Sequence, residues 1–106
     1  MSTPSLFVGL MLFLSVTTIS AITVTVNKDG NFSGQEFSFE LAPGACAALP
    51  NDWVNTVSSL GHSGCVNACP GRGCEGQLSC VRFEGAGNLD FSNTAFNDQF
   101  NSFFAC

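Results

Sequence analysis

Apolar and polar residues alternate through several stretches of the chain. Ile22-Thr-Val-Thr-Val26 alternates with a period of two, and so do Phe37-Ser-Phe-Glu-Leu41 and Val81-Arg-Phe83. That period predicts extended strands, each with one buried face. Glycine-bearing turns, "NKDGNFSG" and "PGRGCEG", lie between them and predict positive φ at Gly34 and Gly76. The one helical signal is a single turn in "ACAAL", residues 45–49, and "LGHSG", residues 60–64, reads as a loop carrying His62. Short strands and regular turns together predict a small all-β sandwich or barrel.

The pattern is written twice. At an offset of 42, Val24 falls on Val66, Phe32 on Cys74, Gly34 on Gly76, Gln35 on Gln77, Phe39 on Val81 and Leu41 on Phe83. At 43 the match continues, with Gly44 on Gly87, Cys46 on Leu89, Trp53 on Phe96, Asn55 on Asp98, Ser59 on Ser102 and Leu60 on Phe103. One domain of two motifs is expected, motif one at about 22–63 and motif two at about 64–106. Two units are too few for a propeller, which needs about four.

Ahead of the repeat, Ser5 to Leu14 is an apolar run too short to span a bilayer, followed by small and polar residues. It reads as a signal peptide over residues 1–21, cut after Ala21 or, alternatively, after Ser20. The expectation is a secreted protein without a transmembrane anchor.

Composition narrows the partners. Three basic residues face eight acids, for a net charge of −5, which argues against nucleic acid and anionic lipid. All six cysteines (Cys46, Cys65, Cys69, Cys74, Cys80 and Cys106) lie after the leader. An even number in an exported chain predicts three disulfides, and the cysteine spacing matches no zinc pattern. A domain this small buries only about 60% of its unfolded surface and needs such staples.

Catalytic motifs are missing: there is no Gly-x-Ser-x-Gly, no His-Glu-x-x-His and no phosphate loop. His62 next to Ser63 is adjacency, not a dyad, and Asp90 with Asp98 is not placed by the sequence as a carboxylate pair. No enzyme is expected. Asn31-Phe-Ser33 is a glycosylation sequon, an acceptor in an exposed turn and a poor one if Phe32 is tucked inward. Phe91, Phe96, Phe100, Phe103 and Phe104 crowd the last strand region and some of them are expected in the core, as Trp53 is. Alternation puts Phe103 and Phe104 on opposite faces, so an exposed member would make a binding surface or dimer patch, and a monomer or weak dimer is expected.

These residues resemble the βγ-crystallin superfamily, whose domains are paired Greek-key motifs. The likeness rests on Phe32-Ser-Gly34 and Cys74-Glu-Gly76 in the hairpins, and on Asn55-Thr-Val-Ser-Ser59 and Asn97-Asp-Gln-Phe-Asn-Ser102 before the last strand of each motif. The six-cysteine form resembles small secreted crystallin-like proteins of fungi and, more distantly, yeast killer toxins and plant antimicrobial peptides. The resemblance implies an all-β, disulfide-stapled sandwich of two Greek keys. It also implies a non-enzymatic interaction protein, antimicrobial, toxin-like or an effector, with an unidentified extracellular or cell-surface partner. The alternative it carries is an extracellular structural module with weak calcium binding.

For calcium, the family signature is Asn/Asp-Asn/Asp-x-x-Ser/Thr-Ser. Motif one offers Asn55, Thr56 and Ser58 but Val54 at the leading position; motif two offers Asn97, Asp98 and Gln99 but Asn101 in place of the hydroxyl. Affinity near 10⁻⁴ M or weaker is implied. The same residue types also bond the backbone of turns without an ion, and both readings stand. The fold further implies the pairing Cys46–Cys74 across the motifs, Cys65–Cys106 on the terminal strand and Cys69–Cys80 across the second hairpin.

Overall fold

The computed structural model describes residues 21–75 and 79–106. The leader and the predicted positive φ of Gly76 lie outside the described residues.

Alternation becomes structure where it was strongest. Strand β1, Ile22–Asp29, buries Val24 and Val26 and turns Thr23 and Thr25 outward. It reverses into β2, Ser33–Leu41. The reversal needs Gly34, whose φ is +78° and whose position would drive a Cβ into the Asp29 carboxylate. After β2 come β3, Cys46–Ala48, and β4, Ser59–His62. The second half supplies β5, Val66–Cys69, β6, Val81–Phe83, β7, Gly87–Asp90, and β8, Ser102–Ala105.

Two four-stranded antiparallel sheets result, ordered β2-β1-β4-β7 and β3-β8-β5-β6. Each takes three strands from one half and its third-strand partner from the other. Neither half is therefore complete alone. Their inner faces meet through Val24, Val26 and Leu60 on one side and Val66, Ala68 and Phe103 on the other. Trp53, Phe91 and Phe100 close the ends of this core.

Strand register corrects the sequence alignment of the repeats. Val24 faces Phe39 as Val66 faces Phe83, so Phe39 corresponds to Phe83 and Phe37 to Val81, two residues further along than the self-match placed them. The second hairpin is longer between Cys74 and Val81. Because two residues is one strand period, the faces were unaffected. In the third strands, Gly61 faces Asn88 as Phe104 faces Cys46, which matches Asn88, not Leu89, to Cys46.

Two local expectations are corrected. "ACAAL" is not a helical turn but holds β3, because pairing with β8 outweighs alanine's helix preference. A helical turn spans Asn51–Trp53 instead. His62 sits not in a loop but at the end of β4, buried, paired between Val24 and Gly87, with its ring near Phe83. Phe32, whose placement the sequence left open, is 42% exposed, and Asn31 beside it is exposed too. Phe103 and Phe104 do take opposite faces, the first buried and the second half-buried.

All six cysteines are bonded, as Cys46–Cys74, Cys65–Cys106 and Cys69–Cys80. These are the three pairs the resemblance implied.

Candidate functional site

The serine turns are built alike. Ser59 Oγ donates to Asp29 O at 2.9 Å and accepts from Phe32 N at 3.1 Å; Ser102 Oγ donates to Gly71 O at 2.6 Å and accepts from Cys74 N at 2.9 Å. Each buried hydroxyl thus ties a strand start to the hairpin above it. That bond helps hold Phe32 and Cys74 in the left-handed region, φ 59° and 58°, which non-glycine residues rarely enter. Asn55 and Asp98 are a second such pair, at 58° and 61°. A sequence period does not report backbone sign at non-glycine residues, so these four positions were not foreseen.

The predicted site residues assemble across the repeats. Ser58 Oγ donates to Asp98 Oδ1 at 3.3 Å, and Asp98 N donates to Val57 O at 2.9 Å. On the other side Asn101 Nδ2 donates to both Asn55 Oδ1 and Pro70 O at 2.9 Å, and Asn101 Oδ1 accepts from Asn55 N at 2.8 Å. The two sides differ in kind. Around Ser58 the donor set is a hydroxyl and a carboxylate, with Asn97 Nδ2 at 3.5 Å from Asp98 Oδ2 and Asn97 Oδ1 buried without a hydrogen-bond partner. Around Asn101 an amide nitrogen already satisfies the converging oxygens. Thr56 and Gln99 are not brought in: Thr56 Oγ1 bonds Trp53 O, and Gln99 Nε2 bonds Asn97 O.

The other candidates separate. His62 Nδ1 lies 3.0 Å from Gly64 O, while Ser63 Oγ accepts from Thr23 N at 2.7 Å, so the neighbours face different partners. Asp90 accepts from Ser92 N at 3.0 Å and Ser92 Oγ at 2.7 Å, hydrogen bonds that hold its carboxyl below the usual range. Those contacts do not involve Asp98. Backbone N–H groups of Glu75 itself and of Gly73 likewise lower Glu75. No His, Cys, Asp and Glu cluster of metal-binding size occurs among the described residues.

The sequence reading missed an open groove of about 480 Å³ on the outer face of the first sheet. Its floor follows the register: Thr25 and Asn27 on β1, then Gly61 on β4, then Asn88 on β7. Gly61 makes the trench, since a Cβ there would press on Asn88 Oδ1 at 3.0 Å. Phe32 forms one edge and Glu36, opposite Asn27, stands on β2. Asn27 is only 3% exposed, and its side chain makes no hydrogen bond among the described residues. Its amide atoms are not sealed in, unlike Asn97 Oδ1, so the polar end opens on the groove.

Aligned by register, the groove and the disulfides occupy the same places in the two repeats. Thr23 corresponds to Cys65, Ser63 to Cys106, Asn27 to Cys69, Glu36 to Cys80, Phe32 to Cys74 and Asn88 to Cys46. The three disulfides join the counterparts of facing groove residues, and Phe104 stands where the groove has Gly61. One outer face is thus plated with cystine, and its counterpart is open and polar.

No family model matches the chain, and neither a curated protein nor a solved structure matches it.

Proposed function

We propose that this chain is a secreted, non-enzymatic interaction protein of βγ-crystallin type, two Greek keys exchanging their third strands, that engages an extracellular or cell-surface partner through the outer face of its first sheet. The exchange of β3 and β7 between sheets and the matched serine turns support the crystallin-like reading. Three disulfides suit an oxidising compartment, and no helix among the described residues is long and apolar enough to cross a membrane. The observation carrying the binding role is the groove with Asn27 at its base, a residue packed tightly in the sheet whose amide opens on the groove and makes no hydrogen bond among the described residues. An amide in that position can donate to and accept from a ligand lying in the groove.

The test is to close this face without unfolding it. The double variant Asn27→Cys/Glu36→Cys copies the facing pair Cys69–Cys80. With the new bond verified by peptide mapping, it should be more stable by about 2–3 kcal/mol from loop closure. Labelled wild-type protein should bind intact fungal, bacterial or plant cells of at least one kind, and the closed variant should lose that binding. Equal binding by both proteins overturns the reading.

A second reading, a structural module with weak calcium binding, is favoured on one side only. Asp98 and Ser58 bring a carboxylate and a hydroxyl together, oxygens that suit a hard cation, whereas the Asn101 amide nitrogen does not. When bound, calcium would cross-link the two turns by charge. Millimolar calcium should then raise the melting temperature, Asp98→Asn should abolish the rise and Asn55→Ala should leave it. No rise in the wild type removes the reading.

A further inference from the structure

We infer that the groove takes a neutral oligosaccharide, an inference that rests on the outer face of the first sheet being the binding face. The lining selects the chemistry. Asn27 and Asn88 bring planar amides, Thr25 a hydroxyl and Glu36 a carboxylate, Phe32 brings a phenyl ring, and His62 also lines the groove. Vicinal sugar hydroxyls are donor and acceptor at once, and amides and carboxylates in fixed positions bond them in pairs. The C–H face of a pyranose is weakly positive and packs on the negative face of an aromatic ring. The groove's volume, about 480 Å³, lies in the range of ligand pockets, roughly 300–1,000 Å³.

Other ligands fit less well. A phosphate, sulfate or uronic acid needs a cation, and the three basic side chains are engaged elsewhere. Lys28 Nζ donates to Asp52 O and lies 4.9 Å from the centre of the Trp53 ring; Arg72 bonds Leu49 O, and Arg82 pairs with Glu84. A wholly apolar ligand would leave the Asn27, Asn88 and Glu36 polar groups of the lining without partners. An extended peptide would pair with the free edge of β2 or β7 through its backbone, not lie across the face of the sheet.

Part of the lining is held ready. Thr25 Oγ1 lies 2.6 Å from Ser38 Oγ, Thr23 Oγ1 donates to Glu40 Oε2 at 2.9 Å, and Ser63 Oγ is held by Thr23 N. Asn27 is held by burial, while its amide is uncommitted.

The experiment is amide-resolved NMR of the oxidised protein with neutral oligomers of glucose, mannose and N-acetylglucosamine, and with oligogalacturonate as the anionic probe. A neutral oligomer should shift Thr25, Asn27, Phe32, Gly61 and Asn88 together. Asn27→Ala and Phe32→Gly should each weaken that binding at least tenfold with all three disulfides intact. Phe32→Gly removes the ring at a position whose φ of 59° suits glycine, so the hairpin is retained. The inference is overturned if no neutral oligomer shifts the groove at about 10 mM, well beyond millimolar affinity. It is equally overturned if only oligogalacturonate binds, or if the shifts map elsewhere. Cell binding that still depends on the open groove would then leave the binding face standing, whereas loss of both results would remove the two together.

Discussion

The outer faces of the two sheets are the same surface built twice and put to opposite uses. On the second, Cys65–Cys106, Cys69–Cys80 and Cys46–Cys74 cover the strands and Phe104 fills the middle. On the first, the counterparts are Thr23 with Ser63, Asn27 with Glu36 and Phe32 with Asn88, around Gly61. Where three covalent bonds hold one side, the other has hydrogen bonds between Thr23 and Ser63, and no side-chain bond is seen between Asn27 and Glu36 among the described residues. The difference teaches that concentrating stability on one face frees its counterpart to carry exposed aromatic and unpaired polar groups. A small domain with a thin core has few other ways to reconcile the two demands.

The contrast can be broken most forcefully at the staples. Cys65→Ala/Cys106→Ala opens the longest loop, with a sequence separation of 41, and Cys69→Ala/Cys80→Ala the shortest, with 11. Loop-closure entropy sets the losses at about 4 and about 3 kcal/mol, a large share of a total of roughly 5–15. Chemical denaturation should rank them in that order. The groove amides should keep their native shifts wherever the variant remains folded. Collapse of groove shifts in a folded variant would show that the faces are not separate in function.

A smaller effect sharpens the comparison at the two buried serines. Ser59→Ala and Ser102→Ala each leave a hairpin N–H, that of Phe32 or of Cys74, without its acceptor, at a cost of about 1–3 kcal/mol. Their local consequences should differ. Cys74 remains bonded to Cys46, so its hairpin should stay closed, whereas the Phe32 hairpin has no such bond. Hydrogen exchange at the Phe32 amide should accelerate in Ser59→Ala well beyond the change at Cys74 in Ser102→Ala. Equal acceleration would mean that the disulfide does not hold the hairpin.

Much of this fold was legible because its signals are local. Ile22 to Val26 alternates strictly, and in the strand Val24 and Val26 are buried while Thr23 and Thr25 face outward. Gly34 announces its positive φ because no other residue adopts it as cheaply. The repeat of Ser59 at Ser102 announced two matched turns, which the structure builds with the same pair of bonds. β3 was not legible: Cys46-Ala-Ala48 has no strand signal of its own and is extended because β8 pairs with it. His62 was misplaced for a related reason, since the flanking Gly61 and Gly64 look like a turn while β1 and β7 hold the segment between them.

Of the site, the chain revealed the residue types and not their neighbours. Ser58, Asp98, Asn55 and Asn101 could be named, but the pairing of Ser58 with Asp98 and of Asn55 with Asn101 crosses the repeat. The groove was invisible because Thr25, Asn27, Gly61 and Asn88 come from three strands far apart in sequence.

The sequence by itself determined that the chain forms short strands, that it repeats, which residues face inward and that its cysteines are even in number. Those are properties of a period of two and of composition, and they need no partner strand. Tertiary structure alone decided that each half lends its third strand to the other sheet, which places the six cysteines on one face and their polar counterparts on the other. The physical reason is register. Which residue sits beside which across a sheet is set by hydrogen-bonded pairing between distant segments, and one added residue in a connection changes every later match without altering the local pattern.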